Sequence, residues 1–200
     1  MIASVLAALV RLALGAAVGF QTELEPSRQR VFVANHSSHL DTLLVWASLP
    51  TRLRTRTRPV AAADYWGRSA LRRFLAGRLL RAVLIDRKGG ARAAFERMQD
   101  ALEAGDSLLL FPEGTRGRSD VPEEFKSGIY YLCAARPELE VVPVYLENLN
   151  RILPKGEFLP VPLLARIVFG VPTTLEGGEA KEHFLARLRG TVVALKGAWS

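Results

Sequence analysis

Short apolar runs alternate with longer segments of helical periodicity along most of the chain. The runs have the length of strands, and the segments between them repeat their apolar residues every three to four positions. We predict strands near 31–34, 82–85, 107–111, 141–146 and 165–169, and helices near 38–48, 68–80, 90–104, 125–135 and 178–195. Because strands and helices alternate, we expect an α/β fold with a largely parallel central sheet flanked by helices.

The N-terminal segment is apolar up to about residue 20, apart from Ser4 and Arg11. Its length reaches the roughly 20 residues that a membrane span needs, but Arg11 near its centre would cost about 2.5–3.5 kcal/mol in the bilayer. A helix that lies in the membrane interface lets Arg11 reach the head groups. We predict such a membrane-associating helix over 1–22 and one further domain over 23–200. A helix buried against the core and a true span are the alternatives.

Two arginine-rich segments follow the first predicted helix. Between 52 and 58 arginine occupies every second position, which predicts an extended strand with one basic face. Nucleic acid is one partner for such a face, but no aromatic residue interleaves with the arginines, so we expect anionic lipid or solvent beside it. The helix near 68–80 is basic and amphipathic and follows Tyr65 and Trp66. This pattern is typical of a membrane-surface helix and also of an ordinary surface helix.

Composition narrows the range of functions. The chain has 200 residues, enough for one domain with a real core, and its net charge of +7 favours an anionic partner such as lipid head groups. Its single cysteine, Cys133, excludes an intrachain disulfide. The three histidines and one cysteine show no zinc-type spacing, so we predict no metal site.

His36 and Asp41 stand where an apolar run meets a polar turn. On one helix their side chains would face apart, since each residue turns the helix by about 100°. They can meet if His36 lies in the turn before the helix and Asp41 in its first turn, with Ser37 or Ser38 as N-cap. A carboxylate bonded to the far nitrogen of an imidazole makes a general base. The alternative is a capping aspartate beside an ordinary turn histidine.

The turn at 111–116 has the sequence Phe-Pro-Glu-Gly-Thr-Arg and follows another apolar run. Pro112 ends that strand because it cannot donate a ladder hydrogen bond, and Gly114 permits a tight turn or the close approach of a ligand. Glu113 and Arg116 then follow a strand, where α/β sheets bind their ligands, and the Arg116 guanidinium suits phosphate. The alternative is a surface turn that carries a salt bridge.

Four blocks of the chain, in order, resemble the glycerolipid acyltransferases typified by bacterial 1-acylglycerol-3-phosphate O-acyltransferase. The blocks are Asn35-His36 with Asp41, the triplet Ile85-Asp86-Arg87, the 111–116 turn and the proline-containing strand at 141–144. The third block matches in full. The resemblance implies an O-acyltransferase that moves a fatty acyl group from acyl-CoA or acyl carrier protein to the hydroxyl of a lysophospholipid. Its most favoured acceptor is 1-acylglycerol 3-phosphate, which would give phosphatidic acid.

The resemblance also implies roles for individual residues. His36 would be the general base for the acceptor hydroxyl, oriented by Asp41, with no covalent enzyme intermediate and no bound cofactor. Residues of the later blocks would bind substrate: Arg87, Glu113, Gly114, Thr115, Arg116 and Pro143. The segment 23–200 would be the acyltransferase domain. We then expect a peripheral or monotopic protein on the cytoplasmic face of the membrane, in contact with anionic lipid and its acyl donor, and no nucleic-acid partner.

One departure from the family pattern leaves the acceptor open. Many relatives carry lysines in the strand before the second block, where this chain has Ala61, Ala62 and Ala63. Either nearby arginines bind the acceptor phosphate in place of these lysines, or the acceptor is lyso-ornithine lipid, another lysophospholipid or glycerol 3-phosphate. The segment 147–164 could line an acyl channel or pack as a loop. A non-catalytic basic protein that binds membranes or nucleic acid is the alternative from another class. A serine hydrolase is disfavoured because the sequence lacks Gly-x-Ser-x-Gly.

Overall fold

A seven-stranded sheet runs through the middle of the protein in a computed structural model that describes residues 2–86, 89–117, 121–149 and 164–198. The strands are β1 (Ala17–Phe20), β2 (Arg30–Ala34), β3 (Thr57–Ala62), β4 (Val83–Ile85), β5 (Ser107–Leu110), β6 (Glu140–Glu147) and β7 (Arg166–Phe169). Their order across the sheet is β1-β7-β6-β2-β5-β3-β4. Neighbouring strands in this sheet are parallel except β6 and β7. The prediction of a largely parallel α/β sheet is confirmed.

Helices cover both faces of the sheet. They are α1 (Ile2–Ala13), α2 (Asp41–Ser48), α3 (Thr51–Arg54), α4 (Ala63–Trp66), α5 (Ala70–Phe74), α6 (Gly90–Glu103), α7 (Gly128–Ala135) and α8 (Lys181–Ala194), and a π-helical turn, Leu75–Leu79, continues α5. One face packs on α6, α7 and α8 through a cluster that contains Leu108, Leu132 and Phe184. The other packs on α2 through a cluster that contains Phe32 and Leu44.

The central strands are buried on both faces, which explains why they read as unbroken apolar runs in the sequence. Every residue of β2 and β5 is buried. The five strands predicted from apolar runs are present with ends within one residue of the prediction, and the predicted helices begin at most three residues late. β1 and β3 were not predicted at their observed positions.

The strand predicted at 52–58 is wrong. Its first part belongs to the helical turn α3, and β3 begins only at Thr57. The side chain of Arg54 is buried and donates to the carbonyl of Leu49 and the hydroxyl of Thr51, each at 3.1 Å. These acceptors belong to the preceding turn, so a helical backbone brings them within reach where an extended one would not.

The N-terminal helix is shorter than the predicted span of 1–22. α1 ends at Ala13, and Gly15 then takes a φ of +53°, which a helix cannot continue through. β1 follows at once and pairs in parallel with β7. Residues of β1 therefore belong to the sheet, while contact of α1 with a membrane stays a prediction. Within the described part of the chain, no helix combines the length and apolar character that crossing a bilayer requires.

The edge of the sheet where β2 and β5 end is the one that matters for function. These strands are parallel neighbours, with Val33 of β2 level with Leu110 of β5. The loops that follow them therefore emerge side by side, and β3, β4 and β6 run in the same direction. The carboxyl edge of an α/β sheet is where ligands bind as a rule.

Phe169 joins β1 to the rest of the sheet and gives a test of this topology. Its buried ring stacks on Phe20 of β1, with 4.4 Å between ring centroids, and meets Phe32 of β2 edge-on at 6.1 Å. We expect Phe169→Ala to lower the free energy of unfolding by about 3–5 kcal/mol in urea titrations. Val171→Ala, at an exposed site just after β7, should change it by less than about 0.5 kcal/mol. Equal effects of the two substitutions would contradict this packing.

Candidate active site

An open cleft of about 550 Å³ lies at the edge of the sheet where β2, β3 and β5 end. Its lining has an apolar part and a basic, aromatic part. Apolar lining residues include Val60, Ala61, Ile85, Met98, Leu110 and Ile129, and the others include His36, His39, Tyr65, Arg68, Arg72, Arg116 and Lys126. A cleft of this mixed character suits a ligand with a charged head and an apolar chain.

His36 and Asp41 meet in the structure. His36 lies in the loop after β2, Asp41 is the first residue of α2, and 2.8 Å separates His36 Nδ1 from Asp41 Oδ2. The same carboxylate oxygen accepts the N–H groups of Ser37 at 2.6 Å and Ser38 at 2.8 Å, and Asp41 is fully buried. The predicted serine N-cap is wrong, because α2 starts after Leu40 and the Ser38 hydroxyl accepts the N–H of Leu40, at 3.3 Å, before the helix begins.

The loop after β5 holds His36 from the other side. The His36 N–H donates to Glu113 Oε1 at 2.7 Å, and the His36 carbonyl accepts the N–H of Gly117 at 2.8 Å. The imidazole stacks on the ring of Phe111, with 4.3 Å between centroids. Protein contacts alone therefore fix both the backbone and the ring of this histidine.

Glu113 braces this arrangement from inside the protein. Its side chain is buried, and its second carboxylate oxygen accepts the N–H of Glu123 at 2.9 Å. The pKa of the Glu113 carboxyl is raised, mainly by burial, although its hydrogen bonds from the backbone of Glu123 and His36 oppose the shift. Glu113 is not part of the described cleft lining. The structure thus favours a positioning role for it over the substrate contact that the resemblance implies.

Other residues of the 111–116 turn differ in their access to the cleft. Gly114 lines the cleft and has a φ of +73°. A Cβ at this position would collide with the side chain of Lys126. Arg116 also lines the cleft, and its Nη1 lies 2.5 Å from Nε2 of His39. Thr115 is exposed and does not line the cleft as described. Of these three, the structure brings Gly114 and Arg116 to the cleft and leaves Thr115 on the surface.

Of the two remaining predicted site residues, one lies inside the sheet and the other lies outside the described residues. Pro143 is buried inside β6, level with Val33 of β2, and its carbonyl accepts a hydrogen bond from the Gly170 N–H at 2.8 Å. Its ring is thus a packing element of the sheet and is not among the described lining residues. Arg87 lies outside the described residues, and so does most of the candidate acyl-channel segment 147–164.

Sequence reasoning did not place five residues of the cleft in the candidate site: His39, Tyr65, Arg68, Arg72 and Lys126. A second histidine inside the first block was a usable signal for one of them, and the basic helix near 68–80 was a signal for the arginines. Nothing in the sequence distinguishes the lysine from others. The cleft has four cationic side chains, those of Arg68, Arg72, Arg116 and Lys126. No carboxylate of the described ranges forms an ion pair with any of them.

Cys133 does not offer a second reactive group. It is buried in α7, and burial raises the pKa of its thiol to about 12, which keeps it protonated and unreactive at neutral pH. Across the described ranges, no three His, Cys, Asp or Glu side chains are grouped so as to hold a metal ion.

Known proteins are similar to this chain in sequence. The family described as Acyltransferase matches residues 16–147. Human 1-acyl-sn-glycerol-3-phosphate acyltransferase alpha is 32% identical over an alignment of 155 residues, which covers 74% of this chain and 52% of that protein. The 1-acyl-sn-glycerol-3-phosphate acyltransferase of Limnanthes douglasii is 28% identical over 162 residues, 76% of this chain and 53% of that protein. The chain spans about half the length of these curated relatives.

A solved structure shares the fold. The 1-acyl-sn-glycerophosphate (LPA) acyltransferase PlsC from Thermotoga maritima matches with a TM-score of 0.78 and 20% identity, over 100% of this chain and 80% of that one. At this identity the likeness shows the fold alone. The family match covers about two thirds of the sequence, including His36, Asp41 and the 111–116 turn. The chain therefore belongs to the Acyltransferase family.

Proposed function

We propose that the protein moves a fatty acyl group from a thioester donor to the hydroxyl of a lysophospholipid, foremost 1-acylglycerol 3-phosphate, to give phosphatidic acid. The observation that carries the proposal is the His36–Asp41 pair, joined at 2.8 Å, in the wall of a cleft that also presents four cationic side chains. The human and Limnanthes relatives bear the name of this activity.

Proton transfer is the part of the reaction that His36 would carry. Its Nδ1 hydrogen is held by Asp41, so Nε2 keeps a lone pair. The acceptor hydroxyl gives its proton to Nε2 while its oxygen attacks the thioester carbonyl, and Asp41 stabilises the imidazolium that forms. Collapse of the tetrahedral intermediate expels the thiolate, which takes the proton back from Nε2. Because no enzyme nucleophile takes part, both substrates must be bound together.

The basic part of the cleft suits the phosphate of such an acceptor. Guanidinium groups bind phosphate through paired N–H donors, and an ammonium adds a point charge. Arg68 and Arg72 come from the segment after β3, whereas Arg116 follows β5 and Lys126 precedes α7. These cations supply the charge that relatives place in the strand before the second block, where this chain has alanines.

The apolar part of the cleft suits a fatty chain. Its residues come from β3, β4, β5, α6 and α7, and they include Val60, Ile85, Met98, Leu110 and Ile129. Each CH₂ group that leaves water there would contribute about 0.8 kcal/mol to binding. The donor is acyl-CoA or acyl carrier protein, and both carry negative charge that a protein of net charge +7 attracts.

The outer surface supports a place at the membrane. Val5, Leu9 and Leu12 of α1 are 59%, 54% and 79% exposed, and Leu71 and Phe74 of α5 are 67% and 59% exposed. α1 and the π-helical turn after α5 share one apolar cluster on their inner sides. Exposed apolar side chains on basic, amphipathic helices favour the lipid interface. We infer peripheral or monotopic attachment at the cytoplasmic face, where acyl thioesters are made and anionic lipids attract basic surfaces.

Loss of the His36–Asp41 pair should abolish transfer. We expect His36→Ala and Asp41→Asn to lower kcat by about 10²–10⁴-fold, because the base or its tautomer is lost. The assay is thiol release from acyl-CoA with and without 1-acylglycerol 3-phosphate. His183→Ala is the matched control, since His183 lies in α8 with a side chain 71% exposed, and it should keep the full rate. Near-normal turnover by folded His36→Ala would make this mechanism wrong.

Arg116 should act mainly in acceptor binding. We expect Arg116→Ala to raise the acceptor KM by about tenfold or more and to change kcat less, because a phosphate contact is made equally in the ground and transition states. Arg92→Ala, at an exposed position of α6, is the matched control for the lost charge. An unchanged KM at full rate would remove Arg116 from the acceptor site.

The same assay identifies the acceptor. One labelled acyl donor is offered with 1-acylglycerol 3-phosphate, another lysophospholipid, lyso-ornithine lipid or glycerol 3-phosphate, each at equal concentration. We expect the highest kcat/KM with 1-acylglycerol 3-phosphate, since four cations surround the cleft. A higher value with a different acceptor would change the assigned substrate and leave the general-base chemistry intact.

The apolar face of α1 should control membrane binding. Deleting the whole N-terminal segment would also remove β1 from the sheet, so substitutions give the cleaner test. We expect Leu9→Glu with Leu12→Glu to reduce flotation with anionic vesicles by about tenfold or more, because two exposed leucines can no longer enter the interface. Val171→Glu is the control at a comparably exposed site. Equal flotation of both variants would dismiss α1 as the contact.

A further inference from the structure

His39 is a second histidine in the cleft and has no part in the chemistry proposed above. It lies in the loop between β2 and α2 and lines the same cleft as His36. Its ring stacks on Tyr65 of α4, with 4.9 Å between centroids and 13° between planes. Its Nε2 lies 2.5 Å from Nη1 of Arg116. The ring therefore links α4 to both loops that form the site.

The contact with Arg116 determines the form of this imidazole. A guanidinium can only donate, so Nε2 of His39 accepts and the hydrogen of the neutral ring is on Nδ1. Burial is the main cause of the lowered pKa of His39, and the positive charges of Arg116 and Arg72 add to it, while the carboxylate of Asp41 opposes it. At pH 7 the ring is therefore neutral.

Arg72 extends the cationic surroundings of His39. Its guanidinium carbon lies 4.4 Å from the centre of the Tyr65 ring, the same ring on which His39 stacks. Neither Arg72 nor Arg116 is ion-paired to a carboxylate in the ranges that the structure covers. Two guanidinium groups thus lie near one neutral imidazole, and a bound anion would balance their charge.

Building on the proposed function, we propose that His39 is a specificity-determining residue that makes the cleft prefer an acceptor with a phosphomonoester over one with a phosphodiester. Before the acceptor binds, His39 accepts a hydrogen bond from Arg116 and holds that guanidinium at the cleft. When a doubly charged phosphate binds, Arg116 donates to the phosphate instead of to His39, and the phosphate offsets the charges of Arg116 and Arg72. Nε2 of His39 is then free and takes up a proton from solvent. The imidazolium is then a third cation beside the phosphate.

The charge of the ligand is what makes this arrangement selective. A phosphomonoester has its second pKa near 6, so it carries close to two negative charges at pH 7, whereas a phosphodiester carries one. One charge cannot offset both Arg72 and Arg116, so the surroundings of His39 stay positive and the ring stays neutral. A phosphodiester acceptor would therefore gain no third cation.

The first experiment follows the protonation of His39 without catalysis. Imidazole resonances of the full chain are titrated with pH, alone and with saturating glycerol 3-phosphate or dimethyl phosphate. We expect glycerol 3-phosphate to raise the pKa of His39 by about one unit or more, and dimethyl phosphate to raise it less than half as much. His183, exposed in α8, is the internal reference and should not shift. No shift of His39, or equal shifts with both ligands, would overturn the proposal.

The second experiment measures selectivity. Values of kcat/KM for 1-acylglycerol 3-phosphate and lysophosphatidylglycerol are compared in the wild type, His39→Gln and His39→Ala. The glutamine amide oxygen can still accept from Arg116 but cannot take up a proton. We expect His39→Gln to lose about tenfold of the preference through KM, with kcat within about threefold of the wild type, and His39→Ala to lose at least as much. If His39→Gln kept the full preference, His39 would only position Arg116 and the proposal would be wrong.

These outcomes are distinct from a failure of the proposed function. Should the wild type transfer acyl groups to neither lysolipid, the assigned reaction is wrong. The imidazole titration still decides whether His39 responds to the charge of a phosphate, because it requires no turnover.

Discussion

The parallel pairing of β2 with β5 is the constraint on which the site depends. It places the two loops that follow these strands at one edge, so that His36 and Glu113, 77 positions apart in sequence, come within 2.7 Å of each other. Side chains continue the ladder where backbone pairing stops. Asn35 exchanges two hydrogen bonds with the backbone of Leu146 in β6, at 2.9 and 2.7 Å. On the side of β5, Glu113 accepts the N–H of the next residue, His36. Hydrogen bonds therefore hold the loop with the imidazole on both sides.

Much of the fold could be predicted because strands buried on both faces leave unbroken apolar runs. β1, which was predicted as helix, and β3, which was predicted too early, show where such patterns stop being informative. β1 lies in the same apolar segment as α1, and only the conformation of Gly15 separates helix from strand. β3 was placed too early because the alternating arginines look extended, whereas the buried side chain of Arg54 bonds to its own preceding turn. The alternation of polar and apolar residues does not reveal such a local hydrogen bond between a side chain and the backbone.

The candidate site, like the fold, could be predicted from the sequence only in part. His36 and Asp41 could be paired from sequence because their contact is local and their chemistry is specific. The sequence also identified the 111–116 turn, but not which way each side chain in it faces: a carboxylate after a strand looks like a ligand contact, yet burial turns Glu113 inward. Arg72 and Lys126 reach the cleft from segments far apart in the chain. Only the tertiary structure reveals that they line one cleft.

The short link between α1 and β1 has a mechanical consequence. Three residues separate the helix from a strand that is hydrogen-bonded into the sheet, so α1 is a rigid extension of the sheet and not a flexible tether. If the outer side of α1 rests among lipid head groups, the fold itself sets the height and tilt of the cleft above the bilayer. Access would then depend on how deep a lipid carries its free hydroxyl, and a lysolipid could reach the imidazole by lateral diffusion without leaving the membrane plane.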